Sequence, residues 1–125
     1  MTQKNQIYKC SVCGNIVEIL HVGASSLVCC GKPMELQEPN SSDGNPKTHI
    51  PVIEVTATGV KIKVGSEPHP MEEDHHIEWV EIMVGEYVDR KYLKPGDAPE
   101  AEFNITGDGL IARAYCNIHG LWKSE

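Results

Sequence analysis

The sequence of 125 residues is short of aromatic side chains, of positive charge and of long apolar runs. Each shortage removes a class of protein. No apolar stretch approaches the ~18 residues that a bilayer-spanning helix requires, which excludes a helical membrane protein. The opening residues Met1–Gln6 have no hydrophobic core of the kind a secretory leader carries, so export by that route is not expected. Eleven Lys and Arg stand against 18 Asp and Glu, a formal net charge of -7, whereas a sequence-independent nucleic-acid binder needs the opposite sign. With 40% hydrophobic and 23% charged residues, the composition has neither the charge excess of a disordered chain nor the apolar excess of a membrane one. There is no internal repeat and no low-complexity tract.

Only seven residues are aromatic, while glycine (11) and proline (8) are plentiful. Short strands joined by turns suit this composition better than long helices. Cysteine is also present in quantity. Cys10 and Cys13 form a C-x2-C pair, Cys29 and Cys30 are adjacent, and Cys116 stands alone near the C-terminus. Without an export signal the compartment is expected to be cytoplasmic and reducing, which favours metal binding over disulfides. Four thiols within 21 residues suit a tetrahedral thiolate site for zinc or iron.

Tyr8–Asn15 reads as a strand entering a tight knuckle, with Gly14 letting backbone amides approach the sulfurs. Leu27–Gly31 brings a second strand back to them. Few apolar residues lie between the pairs, so a metal must hold this segment together. The bland alternative is a set of buried thiols or a disulfide, and the spacing speaks against it. Zinc ribbons repeat C-x2-C at both ends. Here the second pair has no spacer, which widens or distorts the sulfur–metal–sulfur angle. Over residues 1–38, Tyr8-Lys9-Cys10, Cys13-Gly14-Asn15 and Val28-Cys29-Cys30-Gly31 resemble desulforedoxin, a rubredoxin-like module that holds one iron in four cysteine sulfurs.

Gln37–Pro46 is polar and rich in turn formers, and marks a domain boundary. We therefore expect a small metal-stapled domain over 1–38 and a second domain over 39–125. Strand signals recur in the second. His49–Val55 is β-rich, with Pro51 indicating an edge or a bulge. Gly59–Gly65 alternates, apolar inward and Lys outward. His76–Val84 breaks alternation once near Val80, which indicates a bulge. Segments 87–93, 101–105 and 110–116 follow, with turns at Lys94–Asp97 and Thr106–Gly109. Six or seven strands at this spacing predict a mainly β protein whose larger domain is an immunoglobulin-like β-sandwich.

This domain also holds His49, His69, His75, His76 and His119, together with Cys116. His69 and His75 flank a loop that can aim both rings at one point. By strand parity His75 faces inward and His76 outward, and His21 of the small domain is also assigned to solvent. Cys116 and His119 are three apart and meet one metal only if the chain turns, which Asn117 and Gly120 favour. A thiolate with several imidazoles suits a redox-active iron or copper better than magnesium or calcium. Singly, each histidine is more often structural and Cys116 a small buried hydrophobe. Jointly, two loops and a strand start each offering ligands point to a metal.

His49-Ile50-Pro51-Val52-Ile53, His69-Pro70-Met71-Glu72, His75-x-Ile77-x-Trp79, Leu93-Lys94-Pro95-Gly96 and Tyr115-Cys116-Asn117-Ile118-His119-Gly120 resemble the superoxide reductase family. With the N-terminal module, the resemblance is to its two-iron form, desulfoferrodoxin. It implies a second iron with His49, His69, His75 and His119 in its equatorial plane and Cys116 as axial thiolate. It further implies reduction of superoxide to hydrogen peroxide without dioxygen, an accessory role for the four-cysteine iron, a rubredoxin-like electron donor and a homodimer. One departure stands out. The family has Glu-Lys before the first ligand histidine, whereas this chain reads Pro46-Lys47-Thr48-His49. Lys47 is expected to supply the local positive charge that attracts superoxide, with Lys61, Lys63 and Lys94 as further cations. The rival readings are a non-catalytic two-iron electron carrier, a colourless zinc-stabilised binding module and a superoxide dismutase.

Overall fold

The computed structural model describes residues 2–24, 26–40 and 45–124. The chain falls into two compact units, Met1–Glu38 and Pro39–Glu125. Residues 41–44 of the expected linker lie outside the described residues.

The first unit contains β1 (Ile7–Lys9), β2 (Ile16–Glu18), β3 (Val28–Cys29), β4 (Lys32–Pro33) and β5 (Glu35–Leu36). β1 lies between β2 and β5 in an antiparallel sheet, and β3 pairs with β4 as a minimal hairpin. Among the described residues its buried apolar side chains are Ile7, Cys10 and Ile19. Such a core is too small to offset the entropy of ordering the chain, so the sulfurs must carry part of that task.

The second unit opens with one helical turn, α1 (Pro46–His49), followed by β6 (Pro51–Val55), β7 (Val60–Val64), β8 (Ile77–Val84), β9 (Tyr87–Tyr92), β10 (Glu100–Phe103), β11 (Ile111–Cys116) and β12 (Gly120–Lys123). These strands form two sheets, β10-β7-β6 and β12-β11-β8-β9. Val60, Ile62 and Val64 of one sheet and Ile77, Val80, Ile82, Ala112 and Ala114 of the other share one core. The protein is thus mainly β, and its larger unit is a β-sandwich. Among the described residues no helix is long and apolar enough to cross a membrane.

Three details differ from expectation. His49, expected at the head of a strand, ends α1. Asn45 caps that turn by accepting the Lys47 amide on its side chain at 3.0 Å, and Pro46 presets the first helical φ. The strand begins at Pro51, on the edge strand β6, where a missing N–H costs nothing. The bulge in β8 falls at Glu78 rather than near Val80, since Trp79 pairs with Tyr115 while Ile77 pairs with Cys116. This extra residue lets Ile77 and Val80 both reach the core. It also turns Trp79 and Glu81 to the other face, where Trp79 stacks on Tyr115 at 4.6 Å and the buried Glu81 carboxylate accepts from Arg113, Arg90 and Trp79. Thirdly, β12 follows the Cys116–His119 turn directly, a strand that the ligand motif had concealed.

Candidate metal centre

The four sulfurs of the first unit come from two turns. In the first, Gly14 adopts φ +81 and donates its amide to the Cys10 carbonyl at 3.0 Å. The amides of Val12 and Cys13 then point at Cys10 Sγ, each at 3.4 Å. In the second, Cys30 (φ 54) and Gly31 (φ 74) form the two-residue loop of the β3–β4 hairpin. Adjacent side chains on a strand point apart. The left-handed backbone at Cys30 turns its sulfur back towards Cys29, at a strain cost of about 1–3 kcal/mol.

The resulting sulfur spacings are 3.6 Å for Cys13–Cys29 and 3.9 Å for Cys29–Cys30. A tetrahedron with metal–sulfur bonds of about 2.3 Å spaces its corners about 3.8 Å apart. The set therefore fits one thiolate-bound ion. Two amide donors hold the Cys10 thiol down at about 6, while hydrogen bonding to Cys13 and the neighbouring sulfurs pushes Cys29 up to about 12. Cys30 is raised as well, chiefly by hydrogen bonding to Cys13, with Cys29 acting in the opposite direction. One thiolate forms readily, and further ones need a cation among them.

The second set draws on more of the chain. His49 Nε2, His75, Cys116 Sγ and His119 supply donor atoms within 4.8 Å of one another. His69 lies outside that group but against it, with its Nε2 3.1 Å from His49 Nε2. The four imidazoles form a ring. Neighbouring centroids are 4.5 Å (His49–His69), 4.8 Å (His69–His75), 5.2 Å (His75–His119) and 4.7 Å (His119–His49), against 6.3 Å across the His49–His75 diagonal. Cys116 is fully buried, and its sulfur is 3.7 Å from His119 Nδ1 and accepts the His119 amide at 3.4 Å. Trp122 packs its ring on His49 at 4.7 Å.

The proton positions decide what this ring fits. His49 Nδ1 donates to the Asn45 carbonyl at 2.8 Å, and His69 Nδ1 to the Pro70 carbonyl at 2.6 Å. Both Nε2 atoms are consequently bare lone pairs, yet they face each other at 3.1 Å. Two lone pairs this close call for a positive centre between them. A proton is a poor candidate, because burial holds the His69 imidazole down at about 4 and lowers His49 too. His75 Nε2 is buried with no hydrogen-bond partner. Metal–nitrogen bonds of about 2.1 Å at right angles space neighbouring nitrogens about 3.0 Å apart. His49 Nε2 lies 3.0 Å from His119 Nδ1. A metal fits this set, and the atom that His119 turns towards His49 Nε2 and Cys116 Sγ is Nδ1. Burial pushes the Cys116 thiol up, opposed by the amides of His119 and Ile118.

Two further residues position this set. Thr48 Oγ1 donates to the Asn45 carbonyl at 3.1 Å and lies 3.0 Å from His49 Nδ1, so it buttresses the tautomer-setting bond. Gly65 (φ +86) lets the His69 loop press on α1, where a Cβ would fall 2.4 Å from the Glu67 carbonyl and 2.6 Å from that of Lys47. A glycine after an alternating strand is the available signal. Lys47 is exposed in α1, and His76 is half-buried outside the ring, its Nδ1 at the Glu72 carbonyl. His21 is exposed. Lys61 and Lys63 are paired with Glu100 at 2.7 Å and Glu54 at 3.1 Å, which removes them as free cations for a small anion.

Residues 41–125 match the family model described as desulfoferrodoxin, and residues 2–37 match that of its N-terminal domain. The chain belongs to the desulfoferrodoxin family. It is 57% identical over 125 residues to a desulfoferrodoxin of Nitratidesulfovibrio vulgaris, covering 100% of this chain and 99% of the relative. It is 38% identical over 104 residues to a superoxide reductase of Pyrococcus horikoshii, covering 68% of this chain and 90% of that one. The crystal structure of the superoxide reductase from Treponema pallidum superposes with a TM-score of 0.76 at 30% identity, covering 98% of this chain and 100% of that one. The four-cysteine set and the histidine–cysteine set are those of the two-iron desulfoferrodoxins.

Proposed function

We propose that the protein is a superoxide reductase, with one iron held by Cys10, Cys13, Cys29 and Cys30 and a second by His49, His69, His75, His119 and Cys116. The observation that carries this reading is the ring of imidazole nitrogens beside the buried Cys116 sulfur, a donor set that suits a redox-active iron. The chemistry that a ferrous ion supplies when bound there is one electron to superoxide, which leaves as hydrogen peroxide after taking up two protons.

The chain's own residues do the rest. The Asn45 and Pro70 carbonyls keep His49 and His69 neutral and correctly turned. Burial of Cys116 keeps water from its sulfur, and the His119 amide tempers its charge. The exposed Lys47, two residues before His49, supplies positive charge where the family carries glutamate, so that no carboxylate from this position closes the site. Cys13 and Cys30 are exposed, which supports electron entry from a rubredoxin-like donor at the first site. Exposed Val12, Val17, Leu20, Val22 and Val28 support pairing of the small unit in a homodimer.

A superoxide pulse on the anaerobically reduced protein tests the reading. One peroxide and one oxidised second site per superoxide, with no dioxygen, is the expected result. A silent second site with only the cysteine-bound iron changing would instead establish an electron carrier.

A further inference from the structure

The ring nitrogens of His49 and His69 are each fixed by a backbone carbonyl, whereas among the described residues no hydrogen bond reaches the ring of His75. Its backbone is held instead. The Asn117 side chain grips the chain on both sides of His75, donating Nδ2 to the Asp74 carbonyl at 3.1 Å and accepting the His76 amide on Oδ1 at 2.9 Å. The Asn117 amide adds a third bond, to the His76 carbonyl at 3.1 Å. His75 and Glu72 close the loop with reciprocal backbone bonds at 3.2 Å and 2.9 Å.

We propose that Asn117 is the positioning residue for His75, locking this imidazole to the turn that carries Cys116 and His119. The clamp spans 41 to 43 residues of sequence, so nothing local can replace it. Asn117 directly follows Cys116. A shift of the 74–76 segment against the 116–119 turn would therefore move the His75 imidazole relative to the Cys116 sulfur. An amide is the side chain that this task needs, since one planar group must offer a donor and an acceptor in opposite directions. The inference rests on the reading that the histidine–cysteine set holds iron.

The test uses the full two-iron protein, with the four-cysteine iron of the same molecule as internal standard. Asn117→Ala removes both side-chain bonds. Asn117→Asp keeps the acceptor and sets a carboxylate against the Asp74 carbonyl. In chelator competition, Asn117→Ala is expected to weaken second-site iron retention by about 10–100-fold, the range for loss of a group that orients a ligand, while the first iron is unmoved. The electron paramagnetic resonance signal of the oxidised second site should change as well. Asn117→Asp should fall between Asn117→Ala and the parent in both readouts.

General loss of stability is controlled with Ile62→Ala, a buried core change that removes none of the hydrogen bonds named above, which should lower the melting temperature without altering that signal. Retention within twofold and an unchanged signal in Asn117→Ala would overturn the inference. So would an equal signal change in Ile62→Ala. If the parent itself held iron only at the four-cysteine set, the underlying reading would fall instead, which a metal count distinguishes.

Discussion

The two metal sets of this chain are assembled on opposite plans. Cys10, Cys13, Cys29 and Cys30 come from two tight turns close in sequence, in a unit whose buried apolar residues, among those described, are Ile7, Cys10 and Ile19. His49, His69, His75, Cys116 and His119 come from a helical turn, two loops and a strand end spread over 70 residues, on a sandwich with its own core. In the first unit the metal builds the fold. In the second the fold builds the metal site. The difference predicts which perturbations spread and which stay local.

The sharpest way to break that contrast is to remove one sulfur from each set. Cys116→Ser should abolish second-site absorption and cut superoxide reduction by more than about 100-fold, beyond the cost of losing a ligand-orienting group, while the sandwich stays folded. Cys10→Ser should do the reverse, with amides of residues 2–38 exchanging rapidly and the second site keeping its spectrum. Visible spectra and hydrogen exchange on both variants check the pair. If Cys116→Ser unfolded the sandwich as thoroughly as Cys10→Ser melts the small unit, the two plans would be one.

Next in size is Gly65. Gly65→Ala must push a Cβ into two carbonyls at 2.4 and 2.6 Å on a backbone of φ +86, and should cost roughly 3 kcal/mol with loss of second-site iron. Gly85→Ala, at φ +57 with nothing within 4 Å, should cost about 1 kcal/mol and leave both metals in place. Thermal melts with metal analysis separate them.

The same contrast governs what could be read in advance. The C-x2-C pair and the adjacent pair speak through spacing alone, because their geometry is set within two turns. Val60, Ile62 and Val64 alternate because only sheet burial acts on β7. The ring of histidines has no such local signature. It emerges when β-strand pairing brings the 74–76 segment to the 116–119 turn, and was legible chiefly through family resemblance. His49 was misplaced in a strand because the Asn45-Pro46 cap lay in a stretch read as linker. The bulge at Glu78 was misplaced by two residues because alternation shows that a register changes but not which residue is extra. Asn117 was read as a turn former, and its partners 41 to 43 residues away are invisible without the fold.

A smaller effect follows from burial of the imidazoles. His69 is held down at about 4 in the folded protein against an ordinary value of 6.5, so the unfolded chain binds the proton first as pH falls. This contribution to the stability of the metal-free sandwich is whole above about pH 6.5 and is lost progressively down to about pH 4. Urea midpoints across that window should fall for the metal-free parent and fall less for His69→Leu. Iron on the Nε2 lone pair should shift the loss to lower pH. For the four-cysteine set the sign is opposite in cause, since the raised Cys29 and Cys30 thiols must give up protons, and its affinity should climb with pH.

Lys47 provides the smallest and most specific test. Its side chain is exposed on α1, and its backbone carbonyl accepts from the Glu67 amide at 2.9 Å and Ser66 Oγ at 3.3 Å, so replacing the side chain leaves the turn intact. The protein as a whole is -7 and repels superoxide. A single exposed cation near the site acts through a field that salt screens over about 8–10 Å. Lys47→Ala should therefore lower the superoxide rate by only a few-fold at low salt, with the gap to the parent closing as salt rises. Lys47→Glu should slow the reaction further at low salt, and would also place a carboxylate two residues before His49. A new absorption band in oxidised Lys47→Glu would show that this turn can still deliver a closing ligand. Equal rates and equal salt dependence in Lys47→Ala and the parent would assign attraction of superoxide to another cation, with the exposed Lys94 as the next to remove.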